Sequence, residues 1–282
     1  MKELITRTIT GVLYVALLVG CTVYSPLTAV IFFALVAAAG MWEFCGLAND
    51  YADADINLNI NTLGAVILVG AVWQMRLGIA TGALVALYGF TLLYIIVTEL
   101  YKKADNPFKN WAFAFAGQIY VALPFALLPL ISIFYDPMTN RIEYLWIYPL
   151  SLFIFLWTSD TGAYLVGSLL GKKIPYKLFP RISPNKSWVG SIGGGLLCLG
   201  AAALLWHFFP ERMLLWQWLG FGAVVCVFGT WGDLIESMMK RQFGIKDSGK
   251  ILPGHGGILD RFDSALIAIP ASVIYFYAIG VI

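Results

Sequence analysis

Nine apolar stretches of helix length follow one another along this chain, at about residues 8–24, 26–47, 61–75, 77–100, 110–134, 144–170, 189–209, 214–238 and 258–281. About 20 apolar residues in a helix cross the ~30 Å hydrocarbon core of a bilayer. Lipid offers no hydrogen-bond partners, so a segment inside it must satisfy its own N–H and C=O groups, and consecutive apolar segments do this as helices. The expected fold is an all-α, polytopic membrane helix bundle with about nine transmembrane helices. Composition agrees, since 60% of the 282 residues are hydrophobic, 12% are charged and mean hydropathy is +0.80. No stretch carries the polar surface residues that a separate water-soluble domain needs, so residues 1–282 read as a single integral membrane domain. Residues 8–24, behind Lys2 and Arg7, imitate a secretory signal with a cleavage-like Ala37–Gly40, but the apolar region continues too long for one.

Charge placement gives the orientation. With a cytoplasmic N terminus and nine crossings, the inside regions are the N-terminal tail and those near 48–60, 101–109, 171–188 and 239–257. Together with Arg261 at the inner end of the last span, these hold fifteen of the eighteen Lys and Arg residues, and only Arg76, Arg141 and Arg212 fall elsewhere. This is the positive-inside pattern. A compact chain with almost no soluble extension favours a bacterial cytoplasmic membrane.

Residues 1–140 read mainly as scaffold helices. Glu43 and Glu99 lie near the inner ends of their spans, where a carboxylate reaches the interface. The acidic loop Asn49–Asn61 reads as solvated, and Trp42, Tyr94, Trp111 and Tyr148 as interface anchors. Cys21, Cys45, Cys198 and Cys226 form no CxxC pair and sit in apolar segments, which argues for small core residues over a disulfide framework or a zinc site.

Residues 141–282 differ, with cytoplasmic loops at 171–188 and 239–257. Ser159 and Asp160 stand inside an apolar helix, where an unpaired charge costs at least ~2.5 kcal/mol, so Asp160 requires a partner; Asp160, Ser159 and Glu236 are expected to line a polar cavity. The basic, proline-punctuated loop after it, with Lys186 near its end, is expected to be irregular. Gly167, Leu170, Gly171 and Lys172 lack the spacing of a phosphate loop. Glycines 190, 193, 194, 195 and 200 suit close helix packing.

The most charged interruption runs from Gly232 to Asp263 and holds five acidic residues, five basic residues and a histidine. On a helix, Asp233, Glu236, Ser237 and Lys240 share one face at the cytoplasmic end of the eighth span. Asp260, Asp263 and Ser264 repeat the pattern on the ninth, so two carboxylate faces are expected at one depth. Crowded carboxylates repel one another unless a cation lies between them, and a few hard oxygen ligands with positions left for phosphates suit magnesium. Gly254, Gly256 and Gly257 around His255 allow backbone N–H groups to approach anionic oxygens. Lys240, Arg241, Lys246, Lys250 and Arg261 add positive charge. Together these features point to phosphoryl or nucleotidyl transfer.

Ser237-x2-Lys240-Arg241-x4-Lys246-Asp247-x5-Pro253-Gly254-His255-Gly256-Gly257-x2-Asp260-Arg261-x-Asp263 resembles the signature of phosphatidate cytidylyltransferases, also called CDP-diacylglycerol synthases. SDTGAY at 159–164 and ISPNKSWVGSIGG at 182–194 are similar to that family too, with one departure: Val189 stands where the family commonly has an acidic residue. The resemblance implies a reaction of CTP with phosphatidic acid that gives CDP-diacylglycerol and pyrophosphate. It implies Asp233 and Asp260 as magnesium ligands, with Asp263 as a third ligand or a support, and magnesium alone or with a second cation as cofactor. Lys246 and His255 join the catalytic set, and Ser237, Lys240, Arg241, Arg261, Lys186, Gly254, Gly256 and Gly257 are expected to bind substrate phosphates. Expected partners are CTP, phosphatidic acid and membrane lipid, with no nucleic acid; the glycine-rich faces permit a homodimer without requiring one. The competing readings are a cation-coupled transporter and a transferase acting on another lipid acceptor.

Overall fold

The computed structural model describes residues 2–79, 82–136, 138, 141–171, 173–249, 251, 254 and 256–282, with side chains described from residue 8 onward. The helices are α1 (Lys2–Tyr24), α2 (Pro26–Tyr51), α3 (Leu58–Arg76), α4 (Ala83–Tyr101), α5 (Pro107–Gly117) running through a π-helical turn (Gln118–Ala122) into α6 (Leu123–Ser132), α7 (Ile147–Leu170), α8 (Trp188–Phe208), α9 (Leu215–Phe243) and α10 (Leu259–Ala278). Two antiparallel hairpins interrupt them, β1 (Ile133–Asp136) with β2 (Arg141–Tyr144), and β3 (Lys177–Phe179) with β4 (Ser183–Ser187). Among the described residues, seven helical bodies are long and apolar enough to cross a membrane: α2, α3, α4, α5 with α6, α7, α8 and α9. The first expected span coincides with the shorter apolar part of α1, Thr8–Tyr24, and the last with α10, which opens on Asp260, Arg261 and Asp263. The chain is a multi-pass membrane protein.

Local chemistry sets the helix ends. Ser25 and Thr28 exchange side-chain and backbone hydrogen bonds of 3.1 and 3.2 Å ahead of Pro26, which starts α2. Asn57 and Asn106 cap α3 and α5, and Ser187 caps α8 by accepting the Gly190 N–H at 3.2 Å. The span expected at 77–100 begins later, at Ala83, because Gly78 and Gly82 take positive φ of 65° and 69° and turn the chain between α3 and α4.

The chain forms two compact units, Met1–Trp146 with Phe243–Phe262, and Ile147–Gln242 with Asp263–Ile282. In the first, Phe262 packs edge-on against Tyr14 and Phe125, with ring centroids 5.5 and 5.4 Å away. Several expectations change here. The 49–61 loop is partly buried, with Ala54, Ile56 and Asn61 inside and the Asn49 side chain bonded to both backbone polar groups of Ile56. Glu99 is also buried. It accepts from Asn110 Nδ2 at 2.8 Å and pairs with Lys102 at 3.4 Å, since a carboxylate at this depth needs such partners. On the far hairpin, the Tyr144 hydroxyl donates to Thr22 O at 2.6 Å, and burial raises its pKa above the usual value.

In the second unit, α7 and α8 meet through glycines, as expected. A Cβ added at Gly194 would lie 2.5 Å from Ser159 O, and one at Gly193 2.5 Å from Val166. Between apolar helices in lipid, such close backbone approach replaces the hydrophobic drive that water would supply. Gly200, by contrast, has open space around it. Tyr148 is buried, donating to Arg212 O at 3.0 Å, so it is a packing residue and not an interface anchor. Cys45, Cys198 and Cys226 are buried and all four cysteines are free. The expected irregular loop after α7 contains the β3–β4 hairpin, with Lys177 opposite Ser187 and Phe179 opposite Ser183.

Candidate active site

The hairpin delivers Lys186 to the start of α8, one residue before its cap. From there its Nζ reaches Asp233 Oδ2 of α9 at 2.5 Å. One turn further along α9, the Ser237 hydroxyl donates to Asp233 Oδ1 at 3.1 Å. Both carboxylate oxygens of Asp233 are therefore engaged, which fixes its rotamer. Gly232, just before it, allows α10 to come close: an added Cβ would lie 2.5 Å from Asp263 O. Asp263 lies within electrostatic reach of Asp233, Asp160 and Lys240, and its Oδ1 accepts the Ser264 N–H at 2.6 Å. Glu236 is fully buried and paired with Lys240 at 2.5 Å.

Asp160 is exposed, not enclosed in apolar surroundings as expected, and lies within electrostatic reach of Asp233 and Lys186; with them, Ser159, Tyr164 and Ser187 line a cavity of about 590 Å³. Glu236 is absent from the lining residues and serves instead to hold Lys240. The structure thus groups Asp160, Asp233, Asp263, Lys186, Ser237 and Lys240 within the second unit.

Asp260 belongs to the first unit. Its Oδ2 accepts three hydrogen bonds, from Ser248 N and Gly257 N at 2.8 Å and from Ser248 Oγ at 3.0 Å. Gly256 has φ +83° and an added Cβ there would lie 2.5 Å from Asp260 Oδ2, so the glycine is required both for the turn and for the carboxylate beside it. Arg241, Lys246, Gly254 and Arg261 are exposed. His255, with Lys172, Lys250 and Pro253, lies outside the described residues.

Glu43 and Ser248 complete this cluster, and the sequence reading assigned neither to it. Glu43 is buried, not at the interface as expected; its Oε2 accepts the Leu259 N–H at 3.0 Å. An acid inside an apolar helix was the available signal, because such residues are functional by default.

Among the described residues, no three His, Cys, Asp or Glu side chains form a ready cation site. The donor set nevertheless fits magnesium, which takes one or two carboxylates and keeps its other positions for water and phosphate oxygens. A family model described as the cytidylyltransferase family matches residues 5–279, nearly the whole chain. The chain belongs to this family. Relatives named phosphatidate cytidylyltransferase include one from Staphylococcus aureus (strain COL), 39% identical over 188 residues, which are 67% of this chain and 66% of the relative. Another, from Staphylococcus saprophyticus, is 38% identical over 185 residues, 66% of each chain. The match thus spans just under two thirds of the length of these relatives.

Proposed function

We propose that the protein transfers the CMP moiety of CTP to phosphatidic acid, giving CDP-diacylglycerol and pyrophosphate in phospholipid synthesis. The observation that carries this reading is the Lys186–Asp233 pair beside Asp160 and Asp263, built from the segments whose motifs resemble phosphatidate cytidylyltransferases. Relatives of that name support the substrate class.

A phosphate oxygen of phosphatidic acid attacks the α-phosphorus of CTP. One P–O bond forms, the α–β P–O bond breaks, and pyrophosphate leaves with the electron pair. The nucleophile is already anionic near neutral pH, so the residues need not remove a proton from it. Their task is to bring two polyanions into line and to stabilise the charge of the leaving group. Lys186, Lys240, Arg241, Lys246 and Arg261 supply positive charge, and the N–H groups of Gly254 and Gly256 supply hydrogen-bond donors; in the resting site the Gly257 N–H is held by Asp260 and the Ser237 hydroxyl by Asp233. Asp233 and Asp263 in the second unit, and Asp260 in the first, would each offer carboxylate oxygens to magnesium, which when bound would neutralise phosphate charge. His255 donates to a phosphate or braces its loop. The site faces the cytoplasm of a bacterial cell, where CTP is available, and phosphatidic acid enters from the inner leaflet.

Parallel reactions with α-labelled and γ-labelled CTP test the chemistry. Label from the α position is expected in lipid, and label from the γ position in pyrophosphate. γ-Label in the lipid would replace this reading by a kinase, and replacing phosphatidic acid with other lipid phosphates or alcohols identifies the acceptor.

A further inference from the structure

Glu43 is 7% exposed within an apolar helix, and the proposed reaction makes no use of it. Its Oε2 accepts from Leu259 N at 3.0 Å and from the Ser248 hydroxyl at 3.4 Å. Backbone closes around it, since an added Cβ would lie 2.3 Å from Oε1 at Gly249 and 2.5 Å from Oε2 at Gly257. Two glycines therefore make room for this one carboxylate. A charge at such a position is expensive, and packing alone would be served by an apolar side chain.

Ser248 links Glu43 to the site. Its hydroxyl has one proton and two carboxylate acceptors, Glu43 Oε2 and Asp260 Oδ2, while the Asp260 N–H donates back to its oxygen at 3.3 Å. Glu43 and Asp260 are thus bridged by a single hydroxyl. Glu43 also holds the N–H of Leu259, the first residue of α10, where the helix dipole favours a negative charge and the backbone donors need acceptors.

On the reading of Asp260 as a magnesium ligand, we propose that Glu43 is a positioning residue for Asp260. It fixes the first turn of α10 through Leu259, and it accepts the Ser248 O–H hydrogen bond when Asp260 Oδ2 turns to a cation. Asp260 can then exchange a hydrogen bond for a metal bond while the 248–257 loop keeps its brace.

The test uses the purified full chain in detergent with two readouts: thermal stability as magnesium is titrated without substrate, and magnesium dependence of CTP turnover. Outer partners of metal ligands are commonly worth about 10- to 100-fold in metal affinity or activity. Glu43→Gln is expected to raise half-saturating magnesium about that much in both readouts, and to lower kcat while leaving KM for CTP unchanged at saturating magnesium. Ser248→Ala is expected to act in the same direction. The double variant should be no worse than the more severe single one, because the two residues act through one bridge. Gly249→Ala, which pushes on Glu43 without removing its charge, should give a milder form of the same shift.

The proposal is overturned if Glu43→Gln lowers the melting temperature without cation but leaves half-saturating magnesium unchanged, since Glu43 would then be a helix cap alone. Where that variant does not fold, an unchanged half-saturation in Ser248→Ala overturns it equally, as does a wild-type protein with no magnesium dependence in either readout. Wild-type protein that binds magnesium in a Glu43-dependent way but transfers no label from CTP contradicts the substrate reading and upholds the positioning role.

Discussion

Lys186 and Asp233 form an ion pair of 2.5 Å, with side chains 26% and 29% exposed. A partly exposed pair is worth only about 0–1 kcal/mol, so an incoming phosphate can compete for Lys186 at little cost. The same contact that orders the resting site therefore leaves it open to substrate.

Replacing Lys186 with Ala is expected to lower kcat/KM for CTP by about 100-fold, the scale of losing one group aimed at developing charge. Lys186→Arg should retain more activity, because it keeps the charge. Steady-state turnover normalised to folded protein gives the answer.

Asp260→Asn keeps one side-chain oxygen to accept from Ser248 and Gly257, so the loop should stay folded. Turnover should nevertheless fall by about 100-fold or more, because an amide is a poor ligand for a hard cation. Size-exclusion profile and melting temperature check the fold, and label transfer checks the activity. Loss of activity only through loss of folded protein would return Asp260 to a structural role.

Gly194→Ala and Gly200→Ala make a paired test of the α7–α8 contact. A Cβ at 194 would lie 2.5 Å from Ser159 O, whereas nothing lies within 4 Å of one at 200. The first substitution should destabilise by about 1–3 kcal/mol through overpacking, and the second should be near neutral. Melting temperatures in one detergent distinguish them.

Asn110→Ala removes the donor to buried Glu99 and the acceptor for Asp55 N. An orphaned buried acceptor costs about 1–3 kcal/mol. A lower melting temperature is expected with unchanged turnover per folded molecule, since these contacts belong to the scaffold.

Much of this organisation is legible along the chain because it depends on local pattern. Apolar runs located the helical bodies, and the 237–263 motif contains Ser237, Lys240 and Asp263 of the group in the second unit. The sequence suggests an interfacial carboxylate at Glu43, whose burial escapes notice because its partner Leu259 lies 216 residues away and leaves no trace beside it. Glu99 escaped for the same reason, its burial depending on Asn110 from another helix. The late start of α4 followed from glycines at positive φ within an otherwise apolar run. Pairing Lys177 with Ser187 required a register between short polar segments that shows no alternating pattern.

The most direct test of the central claim follows α-labelled CTP into the lipid phase with purified protein, phosphatidic acid and magnesium, with and without a chelator. Labelled CDP-diacylglycerol is expected to form, to disappear with the chelator and to return when magnesium is restored in excess. Folded protein that leaves all label in the aqueous phase under these conditions would contradict the claim.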